Sequence, residues 1–284
     1  MNIKTIGVVG AGTMGNGIAQ VCAAAGLKVI MQDIAQTQIE AGLNTIGGSL
    51  DRLIKKEKIT ASDKQSTLAN IDTATRLEAL AGVDIVIEAA TENEALKLGI
   101  FEQLDQVCKP AAILASNTSS ISLTRIAGAT NRAAQVIGMH FMNPVPMMAL
   151  VEVIRALQTS DEACRAVVEL SEFIGKVPVE AKDSPGFVAN RIIVPMINEA
   201  AYALYEGLAT AEGIDEIMKL GAAHPMGPLK LADLVGLDVC LSVIKVLHQS
   251  FGDSKYRPCP LLQQMVDAGY LGRKSGRGFY RYDE

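Results

Sequence analysis

Ile3-Lys-Thr-Ile-Gly-Val-Val-Gly10-Ala-Gly12-Thr13-Met14-Gly15, then a run of small residues to Gly26, then Leu27-Lys-Val-Ile-Met-Gln-Asp33, is the stretch that decides the fold. A short apolar run, a glycine-rich turn, a helical segment and a second apolar run ending in an acid make a βαβ unit. Gly10, Gly12 and Gly15 have the G-x-G-x-x-G spacing of a dinucleotide fingerprint, here in the strand-turn-helix context that the fingerprint requires. Gly10 is expected to allow the tight turn, Gly12 to let the backbone approach a pyrophosphate, and Gly15 to let the helix pack closely. The anion would rest on the open N–H groups of the helix that begins near Met14, with Thr13 and Met14 among the cofactor-binding residues.

Asp33 closes the second run. A carboxylate there accepts hydrogen bonds from both adenine-ribose hydroxyls and repels a 2′-phosphate, which favours NAD over NADP. The competing reading, a glycine turn that only tightens a strand-to-helix corner, does not explain the second strand and its terminal acid.

The 284 residues suffice for two ordinary domains. With a formal charge of −5 the chain has no electrostatic footprint for nucleic acid. No apolar run reaches the ~18 residues that a membrane span needs, so no membrane partner is expected. The sequence enters a strand at once, without a secretory signal pattern, and the cytoplasm is the expected compartment. Cys22, Cys108, Cys164, Cys240 and Cys259 are scattered and lack C-x-x-C spacing. They fit reduced, mostly buried thiols rather than a disulfide frame or a metal site, and no metal is expected.

From Thr37 to about Ala69 the pattern is helical, with Ile39, Leu43, Ile46, Leu50, Leu53 and Ile54 on one face. This is long for a crossover and reads as a helical arm inserted after the second strand. Ser49 and Lys56 share a helical face at its basic end, beside Arg52, Lys55 and Lys58. Such an arm could hold a phosphorylated substrate tail; it could equally be a solvated lysine face.

Val83–Ala90 and Ala111–Ala115 read as buried parallel strands. Thr91, Glu92 and Asn93 follow the first, with Lys97 one turn into the next helix, and Ser116-Asn-Thr-Ser119-Ser120 follows the second. Open α/β sheets bind ligands at these carboxyl ends, although a serine could simply cap the next helix. His140 ends the next strand, ahead of Asn143-Pro144-Val-Pro146, and Glu152 lies inside the apolar run Ala149–Arg155. An unpaired carboxylate there would be costly, and a proline turn would bring the two strands alongside, so His140 is its natural partner. That pairing would fix the imidazole tautomer, as a general base requires. A lone strand-end histidine is more often structural, but the buried acid, Asn143 and the serine loop shift the balance. His224 and His248 read as structural.

A helix from Asp161 and a strand at Val177–Glu180 complete the sheet. Asp183-Ser184-Pro185-Gly186-Phe187 reads as a linker and helix start, with Ser184 as N-cap and Pro185 at the first helical position. Beyond it the patterns are helical: Val188–Tyr205, kinked at Pro195, then Ala211–Leu220, Leu229–Gln249 and Leu261–Ala268. Asn190 falls on an early turn, placed to reach the cleft. The expected organisation is therefore an α/β Rossmann domain over 1–183, with a mostly parallel sheet, and an all-α domain over 184–284. Surplus apolar positions in the latter suggest a homodimer. The aromatics of the glycine-rich, basic tail Gly269–Tyr280 suggest that it docks.

Along almost its whole length the chain resembles the NAD-dependent (S)-3-hydroxyacyl-CoA dehydrogenases. The resemblance rests on Gly10-Ala-Gly12-Thr-Met-Gly15, Ala115-Ser-Asn-Thr-Ser119-Ser, His140-Phe-Met-Asn143-Pro-Val-Pro, Leu150-Val-Glu152-Val, Asp183-Ser-Pro-Gly-Phe-Val-Ala-Asn190-Arg and Gly272-Arg-Lys274-Ser-Gly-Arg-Gly-Phe-Tyr. The glycine loop is widely shared; the His-Phe-x-Asn-Pro-x-Pro run with the Pro-Gly-Phe start is far more specific. The resemblance implies His140 as base, Glu152 as its orienting acid, and Ser119 and Asn190 at the reacting oxygens. It also implies that Asp33, Glu92, Lys97, Asn143 and Lys274 touch NAD and that Ser49 and Lys56 meet the CoA moiety. With one dehydrogenase unit and no hydratase part, the chain is similar to the short stand-alone bacterial type that acts on 3-hydroxybutyryl-CoA and acetoacetyl-CoA. Two rivals are a dehydrogenase of free hydroxy acids, which would usually offer a lysine where Asn190-Arg191 stands, and a non-catalytic NAD-binding protein on the same fold.

Overall fold

The computed structural model describes residues 3–282. The apolar runs become strands buried along nearly their whole length: β1 (Thr5–Val9), β2 (Lys28–Gln32), β4 (Ile85–Glu88), β5 (Ile113–Ser116), β6 (Val136–Phe141) and β7 (Leu150–Arg155). With β3 (Ile71–Ala74) and β8 (Val177–Lys182) they form one eight-stranded sheet, in the order β3-β2-β1-β4-β5-β6-β7-β8. Every pairing is parallel except β6 with β7. The strand order reverses between β1 and β4, so the crevice beyond their carboxyl ends is the topological switch point where such sheets bind ligands.

Helix α1 (Thr13–Ala24) follows the glycine turn, and the inserted arm lies between β2 and β3. That arm is two helices rather than one, α2 (Gln36–Lys55) and α3 (Ala61–Ala69). The run Lys55-Lys-Glu57-Lys58 has nothing apolar to bury, and Glu57 turns left-handed (φ 55°). The Thr60 side chain then accepts from Asp63 N–H while Asp63 accepts from Thr60 N–H, a capping box that starts α3. Ile39, Ile46 and Leu50 of α2 pack into the same core as Ile18 and Cys22 of α1 and Val29 and Met31 of β2. Strand β3 escaped the sequence reading because Ile-Asp-Thr-Ala, half exposed at the sheet edge, has no apolar alternation to signal it.

Helices α4 (Glu94–Val107), α5 (Leu123–Gly128) and α6 (Asp161–Phe173) connect the remaining strands. Asn93, Ser122 and Ser160 cap them through their side-chain oxygens.

The chain divides into two compact units at Asp183/Ser184. The second holds α7 (Ala189–Tyr205), α8 (Ala211–Gly221), α9 (Pro228–Val235), α10 (Leu237–Phe251) and α11 (Pro260–Asp267). Two sequence expectations need correcting here. Ser184 and Pro185 do not open a helix: Gly186 (φ 74°) and Phe187 (φ 47°) form a left-handed turn that no α-helix can run through, so α7 starts at Ala189. The run Leu229–Gln249 is broken at Gly236 (φ 106°), where Leu237 N–H turns to Leu271 O. Helix α7 itself continues past Pro195.

Val194, Ile197 and Ala201 of α7 share a core with Leu237, Cys240, Ile244 and Leu247 of α10. The tail docks on this core. Buried Asp233 accepts the N–H groups of Phe279 and Tyr280, each at 2.9 Å, and the Tyr282 hydroxyl at 3.0 Å. The Tyr280 hydroxyl donates to Asp215 at 2.7 Å. All five cysteines are buried free thiols, and burial pushes the Cys22 thiol up to about 12.

Candidate active site

The glycine turn is shaped as its sequence requires. Gly10 adopts φ 96°, and a Cβ on Gly15 would lie 1.7 Å from Gly10 O, so this helix-to-turn contact admits only glycine. A Cβ on Gly12 would meet nothing within 4 Å, which leaves open space in front of the turn. Gly12 brings no side-chain cap to α1, so the leading N–H groups at Thr13, Met14 and Gly15 can be offered to an anion. Asp33 closes the turn from the side: its carboxylate accepts Ala11 N–H at 2.9 Å and Ala35 N–H at 3.2 Å. Open space, unclaimed helix dipole and neighbouring acid suit the pyrophosphate and ribose of a dinucleotide.

Beyond β4 lies a network of buried charges. Lys97 is only 1 % exposed, and its ammonium donates to Glu88 at 2.6 Å and to Ala90 O at 3.1 Å, with Glu92 at 3.4 Å. Glu88, wholly buried, also accepts Ala90 N–H at 2.7 Å and the Ser116 hydroxyl at 2.6 Å. Glu92 is the outward-facing acid of the group. It accepts the hydroxyls of Thr118 (2.7 Å) and Ser120 (2.9 Å), which fixes the loop carrying Ser119. Glu88 was passed over in the sequence, although an acid inside an apolar strand is the same signal that singled out Glu152. Lys97, expected at the cofactor, has its ammonium engaged by these protein oxygens.

His140 and Glu152 are register partners across the one antiparallel pairing of the sheet, with Nδ1 2.7 Å from a carboxylate oxygen of Glu152. Both are buried. The turn that joins their strands contains the cis bond Asn143–Pro144 and closes with Met147 N–H and Met148 N–H on Pro144 O. Asn117 Oδ1 accepts Phe141 N–H at 3.0 Å, tying the serine loop to the residue after His140.

A cavity of about 330 Å³ opens between the start of α1, the face of α2 and the 143–146 turn. Gly12, Thr13, Ser49, Arg52 and Asn143 are among its lining residues. Lys56 caps the end of α2 and is exposed. In the first unit, therefore, the glycine turn, Ser49 and Asn143 border one space, and His140 is paired with Glu152. Asn190 and Lys274 belong to the second unit. Asn190 stands in the first turn of α7, and the Lys274 ammonium holds both carboxylate oxygens of Asp238, at 2.6 and 2.7 Å.

A Rossmann sheet with a dinucleotide turn, followed by an all-helical unit, defines a two-domain NAD-dependent oxidoreductase. Residues 5–184 match the NAD-binding domain of 3-hydroxyacyl-CoA dehydrogenase, and residues 186–282 match the C-terminal domain of the same enzymes. The chain is 56 % identical over 284 residues to a probable 3-hydroxybutyryl-CoA dehydrogenase of Bacillus subtilis, covering 100 % of this chain and 99 % of the relative. It is 53 % identical over 280 residues to the 3-hydroxybutyryl-CoA dehydrogenase of Bradyrhizobium diazoefficiens, covering 99 % and 96 %. Its structure is similar to the crystal structure of (S)-3-hydroxybutyryl-CoA dehydrogenase from Ralstonia eutropha, with a TM-score of 0.96, 58 % identity and full coverage of both chains. The chain belongs to the 3-hydroxyacyl-CoA dehydrogenase family and is an NAD-dependent enzyme of that family. Among the described residues no helix is long and apolar enough to cross a membrane.

Proposed function

We propose that this enzyme oxidises short (S)-3-hydroxyacyl-CoA esters, 3-hydroxybutyryl-CoA first among them, to the 3-ketoacyl-CoA, and catalyses the reverse reduction. The observation that carries the reading is the buried His140–Glu152 pair on a sheet whose switch point carries a dinucleotide turn. The names of the full-length relatives support the short acyl chain.

The residues at the glycine turn fit NAD, held by the N–H groups after Gly12 and by Asp33, with Glu92 and Asn143 as further contacts; Lys97 and Lys274 are assigned to NAD by the family resemblance alone, their ammonium groups being held by Glu88 and Asp238. When bound, NAD supplies the hydride acceptor. With Nδ1–H donated to Glu152, His140 keeps its lone pair on Nε2, the nitrogen that takes the proton of the substrate's 3-hydroxyl. Glu152 stabilises the imidazolium that results, and in reduction the same proton returns to the 3-keto oxygen. Ser119 and Asn190, assigned by the family resemblance, hold that oxygen and contribute by orientation. Ser49 and Lys56 meet the CoA moiety; the cavity bordered by Ser49 and Arg52 supports the assignment of Ser49, whereas Lys56 lies outside that lining and its assignment rests on the family resemblance.

The second unit exposes Ile192, Leu208, Ile217 and Leu220, each more than 60 % accessible, which supports a homodimer through the helical domain. The cytoplasm suits an enzyme with five buried free thiols.

An acyl-length series of 3-ketoacyl-CoA esters, assayed with NADH and again with NADPH, tests the proposal. The C4 ester with NADH should give the highest kcat/KM. Turnover of free 3-ketobutyrate but not of its thioester would replace it with a free-acid dehydrogenase, and no turnover of either would leave an NAD-binding protein.

A further inference from the structure

Lys176 is a second buried lysine, 8 % exposed, and its contacts lie on the 143–148 turn rather than on a carboxylate. Its ammonium donates to Val145 O at 2.6 Å and to Met148 O at 2.8 Å. The sheet explains how it gets there. Because β7 runs antiparallel to β6 and β8 runs parallel to β7, the start of β8 stands at the carboxyl end of β6. Lys176 immediately precedes β8, and Val177 N–H is itself bonded to Ala149 O at 2.8 Å. The same turn also packs closely on α1, where a Cβ on Gly17 would lie 2.8 Å from Val145 Cβ. A buried ammonium that crosses between two carbonyls of one turn is a directional clamp, since neutral packing would not select those oxygens.

We propose that Lys176 is a positioning residue for substrate binding, fixing the 143–148 turn so that Asn143 and Val145 form a constant wall of the cavity beside Ser49. The proposal rests on the reading of that cavity as the binding site for the CoA ester. The hydrogen bonds of Lys176 go to carbonyls of the turn, so it acts on the wall rather than on proton transfer.

The test compares Lys176→Met, which keeps the length but removes the donors, with Lys176→Arg, which restores them. KM and kcat are measured for acetoacetyl-CoA, NADH affinity by fluorescence, and amide exchange at Met147 and Met148. Lys176→Met should raise KM about tenfold or more and lower kcat several-fold less, without changing the pH profile of kcat; NADH affinity should fall by a smaller factor than the rise in KM, because Asn143 on the same turn also faces the nucleotide. Exchange at Met147 and Met148 should accelerate, and Lys176→Arg should recover part of both effects. A lower Tm with unaltered KM and exchange would make Lys176 an ordinary stability residue and overturn the proposal. Should Lys176→Met not fold, Gly17→Ala moves the same turn from the α1 side with the lysine intact; unchanged KM and exchange in that variant would overturn it as well. If the wild-type enzyme does not turn over CoA esters, the functional reading fails by itself, and the exchange data alone decide whether Lys176 clamps the turn.

Discussion

Nδ1 of His140 lies 2.7 Å from a carboxylate oxygen of Glu152, and the two residues face each other on one rung of the antiparallel β6–β7 ladder, in a sheet whose other described pairings are parallel. A parallel neighbour would need a crossover helix between the two residues, whereas the proline turn returns the chain at once. The pair is thus produced by local sequence and held by β-ladder geometry.

Replacing either member should separate their roles. His140→Ala is expected to lose about 10²–10⁴-fold in kcat while binding NADH as before, because it removes the proposed proton acceptor and nothing from the glycine turn. Glu152→Gln keeps the shape but offers an amide that can stabilise the wrong tautomer, and should lower kcat by a factor on the order of 10² or more. Steady-state turnover with NADH titrations checks both; unchanged turnover in His140→Ala would remove the histidine from the mechanism.

Gly12 and Gly15 should fail in different ways. Gly12 has φ −66°, a conformation any residue adopts, and open space at its Cβ, so Gly12→Ala should alter stability by no more than about 1 kcal/mol. The added methyl occupies the approach to the pyrophosphate, and NADH affinity should fall at least about tenfold. Gly15→Ala drives a methyl into Gly10 O and should cost about 1–3 kcal/mol or more of folding stability. Thermal melts alongside NADH titration read the two effects; equal melting of both variants would contradict the assignment.

Under the proposed assignment, Ser49 and Lys56 act on the CoA ester and not on the reacting centre. Lys56→Ala should raise KM for acetoacetyl-CoA more than it lowers kcat, since a remote anion contact supplies uniform binding. The increase should shrink at high salt, because Lys56 is exposed and its charge is screened. An unaltered KM would return Lys56 to the solvated face of the arm.

Asp84 gives the fold a dependence on pH. Its carboxylate accepts Lys4 N–H, Thr5 N–H and the Thr5 hydroxyl at 2.8–2.9 Å and the Lys109 ammonium at 2.5 Å, which ties the start of β1 to the turn before β4. Burial alone would raise the carboxyl, but the lysine and the N–H donors outweigh it and hold Asp84 well below the usual carboxylate range. A depressed folded value means that the stabilisation is complete above the unfolded value of about 3.9 and is lost as pH falls below it. Asp84→Asn should therefore melt earlier than the wild type at pH 7, by about 1–3 kcal/mol, and the gap should close in acid. A gap that is constant from pH 7 to pH 3 would show that charge plays no part.

Much of this protein can be read directly from its residues. The first βαβ unit, the turn at Gly10 and close packing at Gly15, and the pairing of Glu152 with His140 all follow from short-range patterns: strand and helix periodicity, glycine spacing, and the cost of an acid in an apolar run. The tertiary structure decided what those patterns cannot encode. Edge strand β3 exists only because β2 offers it hydrogen bonds, and the break at Gly236 only because the returning tail supplies Leu271 O. Lys97 finds Glu88, and Lys176 finds the carbonyls of Val145 and Met148, across separations of 9, 31 and 28 residues that no local spacing reports. Local pattern sets which residues form strands and turns; where a buried charge finds its counterpart depends on how the strands are ordered, and that order is a property of the folded sheet.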